Sequence, residues 1–223
     1  MEPTLQGDKF ANNGYVDYGI IDDHSYAINH LKRFQIVTTY YPFSDSDYVG
    51  GYKHGEENTL SSEASYKIKR VYGFPGETIR FDINEDLLPE FNSLKYGTEQ
   101  FQDVLRRILT FSVKEAGSEE FVEQKIKFKR KISNDDILKY ADFEYQLGSD
   151  EYWVMGDNYS RSDDCFRQKA PIFYDNIVGV LVAIQGTCKI KTDYKNNDSS
   201  TEDGTKPYFE CTSRKRRIPT YYS

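Results

Sequence analysis

The chain has 223 residues and a formal net charge of −7, from 29 Lys and Arg against 36 Asp and Glu. This length suits one sizeable core and a small second one, and the acidic balance argues against a protein that holds nucleic acid through its phosphates. No apolar run approaches the roughly 20 residues of a membrane-spanning helix. Tyrosine (19) and phenylalanine (14) are abundant, which favours sheet over helix.

The first 65 residues predict short elements separated by polar loops. Residues 27 to 32 suggest one helical turn, and residues 34 to 41 alternate like a strand that a proline ends. Residues 43 to 65 are rich in Ser, Asp, Gly and Glu, which predicts a long polar loop or hairpin. Asp22-Asp23-His24 offers part of a Ser-His-Asp triad, but nothing else supports one, so we interpret His24 as a surface histidine.

Residues 66 to 77 predict a strand, a tight turn and the start of a second strand. Pro75-Gly76 suits the central positions of a type II turn, because Pro presets φ and Gly accepts a positive φ. Lys69 therefore lies on a strand with apolar neighbours, where it is a candidate proton acceptor. On this stretch alone, the simpler interpretation is a solvated lysine on an amphipathic strand.

The middle of the chain predicts a mixed α and β segment. Residues 98 to 117 carry apolar side chains with helical spacing, which predicts the best helix in the chain. These residues are Phe101, Val104, Leu105, Ile108 and Leu109. Residues 125 to 132 alternate like a strand with one wet face. We interpret residues 84 to 150 as a small α+β subdomain inserted between residues 1 to 83 and 151 to 191.

The last part of the chain predicts the closing strands and a polar tail. Residues 152 to 155 form a short strand that enters a loop, and Ile177 to Ile184 is a β-branched run typical of a buried strand. Residues 192 to 206 are a polar linker and residues 207 to 223 a C-terminal tail. The cysteines have no metal-ligand spacing, so we predict three thiols and neither metal nor cofactor. They are Cys165, Cys188 and Cys211.

Three stretches stand in a characteristic order. They are Met1-Glu2-Pro3-Thr4-Leu5, Lys69-Arg70-Val71-Tyr72-Gly73-Phe74-Pro75-Gly76-Glu77, and Gly156-Asp157-Asn158 followed by Ser162-Asp163-Asp164. Together they resemble the sequence boxes of type I signal peptidases, the membrane proteases that use a Ser-Lys pair to remove secretory signal peptides. Residues 33 to 42 resemble a fourth box, with Phe34-Gln35 in place of Gly-Asp. Four ordered matches are far more specific than any one alone.

The resemblance implies a mainly β protein: a signal-peptidase-like antiparallel β catalytic domain with the inserted α+β subdomain. It implies a serine endopeptidase in which Lys69 is the general base and Ser162 orients the lysine amine. Ile68 and Val71 would help to exclude water from that amine. The loop would be supported by Gly156, Asp157 and Asp164, with Arg70 as the ion partner.

The implied partners are signal peptides of secreted preproteins and the lipid surface of a cell membrane, with the catalytic domain on the outer face. An extended substrate with small residues at the first and third positions before the cut would pair with a free sheet edge. The resemblance places five residues near its pocket: Met1, Pro3, Leu5, Lys67 and Ile68. On the outer face, a disulfide between Cys188 and Cys211 is the alternative to three thiols.

Two departures from the family pattern affect the loop. Tyr159 stands where the family has an arginine after Gly-Asp-Asn, and Cys165-Phe166 replaces its Ser-Arg. The loss of the second arginine leaves Arg70 as the one expected ion partner of Asp164. These changes indicate a divergent branch of the family.

The nucleophile of the family is a serine directly before the methionine that matches Met1, so it is expected upstream of the printed residues together with the membrane anchor. We favour truncation or a misplaced start over loss of that serine, and we expect the printed chain by itself not to hydrolyse peptides. One alternative is a self-cleaving repressor of the Ser-Lys class, but its helix-turn-helix domain and cleavage loop are missing from the sequence. The other is a β-rich module that binds extended peptides without cutting them.

Overall fold

The structure, a computed structural model, describes residues 15–44, 46–95, 98–124, 143–158, 162–191 and 208–212. Strands dominate these ranges and pair antiparallel, which confirms the mainly β prediction. The elements are β1 (Tyr15–Asp22), α1 (Ser25–Asn29), β2 (Ile36–Thr39), β3 (Lys67–Gly73), β4 (Thr78–Ile83), α2 (Leu88–Ser93), α3 (Glu99–Ile108), β5 (Leu109–Lys114), β6 (Val122–Glu123), β7 (Phe143–Gln146), β8 (Glu151–Met155), α4 (Cys165–Gln168), β9 (Ile172–Phe173), β10 (Ile177–Lys191) and β11 (Tyr208–Thr212).

The larger sheet has the order β1-β10-β2-β3-β8-β9, with β11 also paired to β10. β3 lies between β2 and β8, so the strand that carries Lys69 is central rather than peripheral. β10 is 15 residues long and pairs with β1, β2 and β11. β3 is bonded to β2 over residues 67 to 70 and to β8 from Arg70 onward, which makes it a rigid platform for its side chains.

The turn between β3 and β4 has the predicted type II geometry. Gly76 has φ +79°, and the Glu77 N–H donates to the Phe74 carbonyl at 3.1 Å. The side chain of Glu77 also accepts from the Phe74 N–H at 2.8 Å and pairs with Arg33 at 2.6 Å. The turn is therefore anchored to the segment before β2.

The smaller sheet has the order β6-β5-β4-β7. The predicted helix over residues 98 to 117 begins as expected, because the Thr98 hydroxyl caps it by accepting from the Phe101 N–H at 3.2 Å. It ends at Ile108, and the prediction is wrong beyond that residue. Leu109 starts β5, all six residues of which pair with β4. Pairing with β4 overrides the helical spacing of the apolar residues.

The larger of the two hydrophobic cores in the described part of the chain extends under both sheets. Its fully buried members include Tyr72 and Val71 from the larger sheet and Ile79 and Phe111 from the smaller one. The boundaries of the inserted subdomain at residues 84 and 150 remain a prediction. The longest helix within the described ranges, α3, has 10 residues, and none there is long and apolar enough to cross a membrane.

The remaining predictions have mixed outcomes. The described part of residues 43 to 65 forms a loop with an isolated bridge between Tyr48 and Leu60. His24 is exposed, and its ring hydrogen-bonds Asp22 at 2.9 Å. The strand predicted over residues 125 to 132 and the linker of residues 192 to 206 lie outside the described residues.

The prediction of three thiols is wrong. Cys188 is disulfide-bonded, whereas Cys165 is a free and fully buried thiol. Cys211 lies opposite Cys188 in the register of β10 and β11. This pairing is set by how the C-terminal strand folds back, which cysteine spacing alone does not reveal.

Candidate active site

β3 presents its side chains alternately to the two faces of the sheet. Lys67, Lys69 and Val71 share one face, because side chains two apart along a strand point the same way. Ile68 points to the other face and is 41% exposed. The expectation that Ile68 keeps water from the Lys69 amine is therefore wrong, whereas Val71 is fully buried on the lysine side.

The Lys69 amine meets the hydroxyl of Ser162, which comes from the loop after β8. Lys69 Nζ lies 2.9 Å from Ser162 Oγ. The Ser162 N–H donates to the Asn158 carbonyl at 2.8 Å, which fixes the loop at the serine. The structure thus joins two residues 93 positions apart, and this is the contact that the resemblance implied.

Gly156 makes room for this contact. A Cβ atom at Gly156 would lie 2.3 Å from Ser162 Oγ and 3.5 Å from Lys69 Nζ. The first distance is far below van der Waals contact, so a side chain here would displace the serine. Glycine at this position is required by close approach rather than by backbone conformation.

The surroundings of Lys69 weaken its preference for the charged form. Burial lowers the pKa of the Lys69 amine, and the positive charge of Lys67 acts in the same direction. The carboxylates of Asp164 and Asp163 oppose this shift, but burial is the largest cause. A lysine with a lowered pKa can accept a proton near neutral pH.

Asp164 is buried beneath the lysine and serine and caps α4. Its Oδ1 accepts from the N–H groups of Phe166 at 3.2 Å and Arg167 at 3.3 Å, and its Oδ2 accepts from the Gly156 N–H at 3.0 Å. Burial raises the pKa of the Asp164 carboxyl, while the nearby Ser162 hydroxyl and the Gly156 N–H counteract the rise. Asp164 thus connects both ends of the loop.

Arg70 is an ion partner of the loop, as predicted, but through Asp157, and its predicted pairing with Asp164 is wrong. It pairs with Asp157, through Nε–Oδ1 at 2.9 Å and Nη2–Oδ2 at 2.8 Å. Among the described residues, Asp164 forms no ion pair with an arginine. The reason is that Arg70 lies on the face of β3 opposite Lys69, whereas Asp164 lies on the lysine side, so backbone N–H groups satisfy its carboxylate.

Lys67 is held by a buried carboxylate that the sequence did not single out. Its Nζ lies 3.1 and 3.2 Å from the two oxygens of Asp47 and 2.9 Å from the Ser65 carbonyl. Asp47 is fully buried and also accepts from the Tyr41 N–H at 3.0 Å. The Lys67 ammonium therefore anchors the loop of residues 42 to 66. An acidic residue in a polar loop gives no sequence signal for such a role.

Tyr41 is a second residue that sequence reasoning missed. It is 1% exposed, and its hydroxyl donates to the carbonyl of Asp163. Its ring centroid lies 5.5 Å from Lys69 Nζ and 5.7 Å from Lys67 Nζ. The one sequence signal was an aromatic residue at the predicted end of a strand.

β3 has an open edge beside the Lys69–Ser162 pair. Its pairing with β8 starts at Arg70, opposite Met155, so no strand among the described residues pairs with residues 67 to 69 on that side. Val71 directs its N–H and C=O toward β2 and the residues before it. Because these groups alternate along a strand, Ile68 directs its own N–H and C=O to the open edge.

The other predicted pocket residues, Met1, Pro3 and Leu5, lie outside the described residues. Comparison with known families adds one finding to this geometry. A family model described as signal peptidase, peptidase S26, matches residues 1–185, which is most of the chain. No curated protein matches it.

Proposed function

The chain belongs to the signal peptidase family, peptidase S26, and on this premise we propose that it is a serine endopeptidase that cleaves signal peptides from secreted preproteins. The single observation that supports this most is the contact of Lys69 Nζ with Ser162 Oγ at 2.9 Å in surroundings that lower the pKa of the lysine. Proteases of this kind need a neutral amine beside a serine hydroxyl.

In the proposed reaction, Lys69 is the general base. Its neutral amine takes the proton of a serine hydroxyl as that oxygen attacks the carbonyl carbon of the scissile peptide bond. The resulting ammonium gives the proton to the leaving nitrogen as the C–N bond breaks, which leaves an acyl-enzyme ester. Water, deprotonated by the same amine, then hydrolyses that ester. The proposed nucleophile is a serine directly before Met1, where the family pattern has its serine.

Ser162 is proposed to orient the base rather than to attack. Its hydroxyl oxygen accepts from Lys69 Nζ, while its N–H is already used by the Asn158 carbonyl. A nucleophile requires a free hydroxyl facing the substrate and a nearby donor for the oxyanion. Ser162, held between Lys69 and the Asp164 region, suits positioning better.

The substrate is proposed to bind at the open edge of β3 as an added strand. Ile68 offers its backbone N–H and C=O there, in a position to pair with an extended peptide. Lys69 is the next residue of the strand after Ile68. A peptide bond that pairs with Ile68 is therefore close to the amine of the general base. Small residues before the cut would suit a shallow pocket beside this edge, in which a larger side chain would clash.

The outer face of the membrane is the proposed location. Disulfides persist in oxidising compartments and are rare in the cytosol, and Cys188 is disulfide-bonded. Signal peptides emerge on the same side of the membrane. The disulfide therefore agrees with the location that the family implies.

The decisive experiment uses a chain with one serine placed directly before Met1, called here the serine-extended chain. A fluorogenic peptide with alanine at the first and third positions before the cut serves as substrate. We expect the serine-extended chain to cleave it and Lys69→Ala to lose about 10³-fold or more of kcat. Lys53→Ala, which changes an exposed lysine, is the matched control and should retain full activity.

Cleavage that survives Lys69→Ala would remove Lys69 from the mechanism. A folded serine-extended chain that binds the peptide without cutting it would instead favour the second candidate, a non-catalytic peptide-binding module of the same family. The open edge of β3 favours that candidate to the same degree, because strand addition needs no nucleophile.

A further inference from the structure

We propose that Tyr41 is a positioning residue for the lysine base: it joins the strand that carries Lys69 to the loop that carries Ser162, and its ring keeps water from the amine. The proposal rests on the proposed function, since it assigns Tyr41 a part in the same site. It is supported by three separate contacts of this one side chain and its backbone.

The first contact ties Tyr41 to the serine loop. Its hydroxyl donates to the carbonyl of Asp163, which stands between Ser162 and Asp164. Tyr41 itself follows β2, the strand in which Val37 pairs with Lys69 of β3. A loop that could otherwise shift relative to the sheet is thus bonded to it next to the serine, so Tyr41 helps to set the distance between lysine and hydroxyl.

The second contact covers the lysine. The Tyr41 ring centroid lies 5.5 Å from Lys69 Nζ, and the ring is 1% exposed. The charged groups that act on the amine from the surrounding elements are Lys67 on β3 and Asp163 and Asp164 in the loop, with the Cys165 thiol behind them. A ring at this place occupies volume that water would otherwise fill.

Two effects of the ring act in opposite directions. Its face attracts a cation, which favours the ammonium form, while the exclusion of water favours the neutral amine. At 5.5 Å the attraction is close to the limit of about 6 Å for such contacts, whereas water hydrates an ammonium directly. Exclusion of water therefore outweighs the attraction, and removal of the ring should restore the charged form.

The third contact fixes Tyr41 itself. Its N–H donates to Asp47 Oδ2 at 3.0 Å, and the same buried carboxylate holds Lys67 Nζ at 3.1 and 3.2 Å. The backbone of Tyr41 is therefore attached to β3 through Asp47 and Lys67. The ring is held against the site from both ends.

The first test measures the protonation of the Lys69 amine directly and needs no peptidase activity. The rate at which a small amine-acylating reagent labels Lys69 is measured across pH by mass spectrometry, relative to exposed Lys53 in the same chain. We expect the midpoint of Lys69 labelling to rise by about one pH unit in Tyr41→Leu. We expect it to stay within a few tenths of a unit in Tyr41→Phe, which keeps the ring.

The second test reads catalysis in the serine-extended chain. Tyr41→Phe loses the bond to the Asp163 carbonyl, so we expect kcat to fall about tenfold with KM nearly unchanged. Tyr41→Leu should lower kcat further, and its pH profile should move upward with the labelling midpoint. Tyr41→Phe should keep the original pH profile while losing kcat, whereas Tyr41→Leu should change both. The comparison therefore distinguishes the role of the ring from the role of the hydroxyl.

The matched control is Tyr72, another fully buried tyrosine, whose ring packs against the rings of Phe34 and Phe111. Tyr72→Leu should reduce stability without moving the Lys69 midpoint. If it moves the midpoint as much as Tyr41→Leu does, or if Tyr41→Leu leaves the midpoint unchanged in a folded chain, the positioning role is refuted. A serine-extended chain without activity refutes the proposed function alone, since labelling still reports on Tyr41.

Discussion

Arg70 and Asp157 form a two-point ion pair in the interior, with side chains only 1% and 0% exposed. The pair joins β3 to the first residues of the loop that carries Ser162. Arg70 also donates from Nη1 to the Phe34 carbonyl at 2.7 Å. The loop of the candidate active site is therefore held to β3 by an ion pair on the sheet face opposite the lysine.

Asp157→Ala should lower the free energy of unfolding by about 3–5 kcal/mol, because it leaves the buried Arg70 guanidinium without its counter-charge. Urea denaturation measures this loss. The matched control is Asp82→Ala, which breaks an ion pair with Arg80 of the same 2.8 Å length but with both side chains more than a third exposed. That pair should contribute about 1 kcal/mol or less. Equal losses in the two variants would contradict a structural role for Arg70 and Asp157.

Gly156→Ala should reduce kcat of the serine-extended chain about 100-fold, because the new methyl group forces Ser162 away from Lys69 and a displacement of about 1 Å has an effect of that size. Steady-state kinetics with the fluorogenic peptide measure it. Gly148→Ala is the matched control. Its added Cβ would meet only the end of the flexible Glu151 side chain, at 3.1 Å, so activity should be unchanged. A fully active Gly156→Ala chain would show that the contact of Ser162 with Lys69 is not needed.

Lys69→Met should abolish activity and yet raise the free energy of unfolding at pH 7. Burial lowers the pKa of Lys69 in the folded chain, so between that pKa and the unfolded value of about 10.4 the unfolded chain binds more protons. The stability of the unsubstituted chain therefore rises with pH in this window, and below it the folded state keeps the whole penalty. Methionine removes the charge while keeping similar volume.

The measurement compares urea unfolding of the two chains at pH 7 and pH 10. The advantage of Lys69→Met should be greatest at the lower pH and should shrink at the higher one. Lys53→Met, at an exposed lysine, should show a difference that does not change with pH. A Lys69→Met chain whose advantage grows with pH would contradict a buried lysine with a lowered pKa.

Thiol counting tests the disulfide at Cys188. The chain has three cysteines, of which Cys165 is a free thiol and Cys188 is bonded. Alkylation in denaturant should add one label without reductant and three with it, as read from the intact mass. Reduction should also lower stability by about 2–4 kcal/mol, since the bond no longer restricts the unfolded chain. Three labels without reductant would contradict the bond.

Much of the fold around the site follows from short stretches of sequence. Pro75-Gly76 specified the turn after β3, since only certain φ values are open to these two residues. The run from Ile177 to Ile184 indicated a strand by its β-branched residues, and the aromatic and β-branched composition indicated a mainly β chain. The ordered boxes indicated the family. In each case, neighbouring residues carry the information.

Other predictions were wrong where the local structure depends on contacts with distant parts of the chain. Leu109 has the right spacing for α3 but enters β5, because β4 offers it a full set of strand partners. Asp164 was assigned Arg70, yet the sheet separates the two onto opposite faces. Cys188 was predicted as a thiol. Each error concerns a contact between residues that are far apart in the sequence. The spacing of residues along the chain does not show which of them come together in the fold.

By itself, the sequence determined that a lysine stands on a strand before a tight turn, and that a loop with Ser162 follows far along the chain. Only the tertiary structure decided that these two meet at 2.9 Å, that the Tyr41 ring lies beside the lysine, and that Arg70 holds the loop through Asp157. The physical reason is that backbone preference is local, acting over a few residues, whereas burial and pairing are settled by the packing of segments that are remote in sequence.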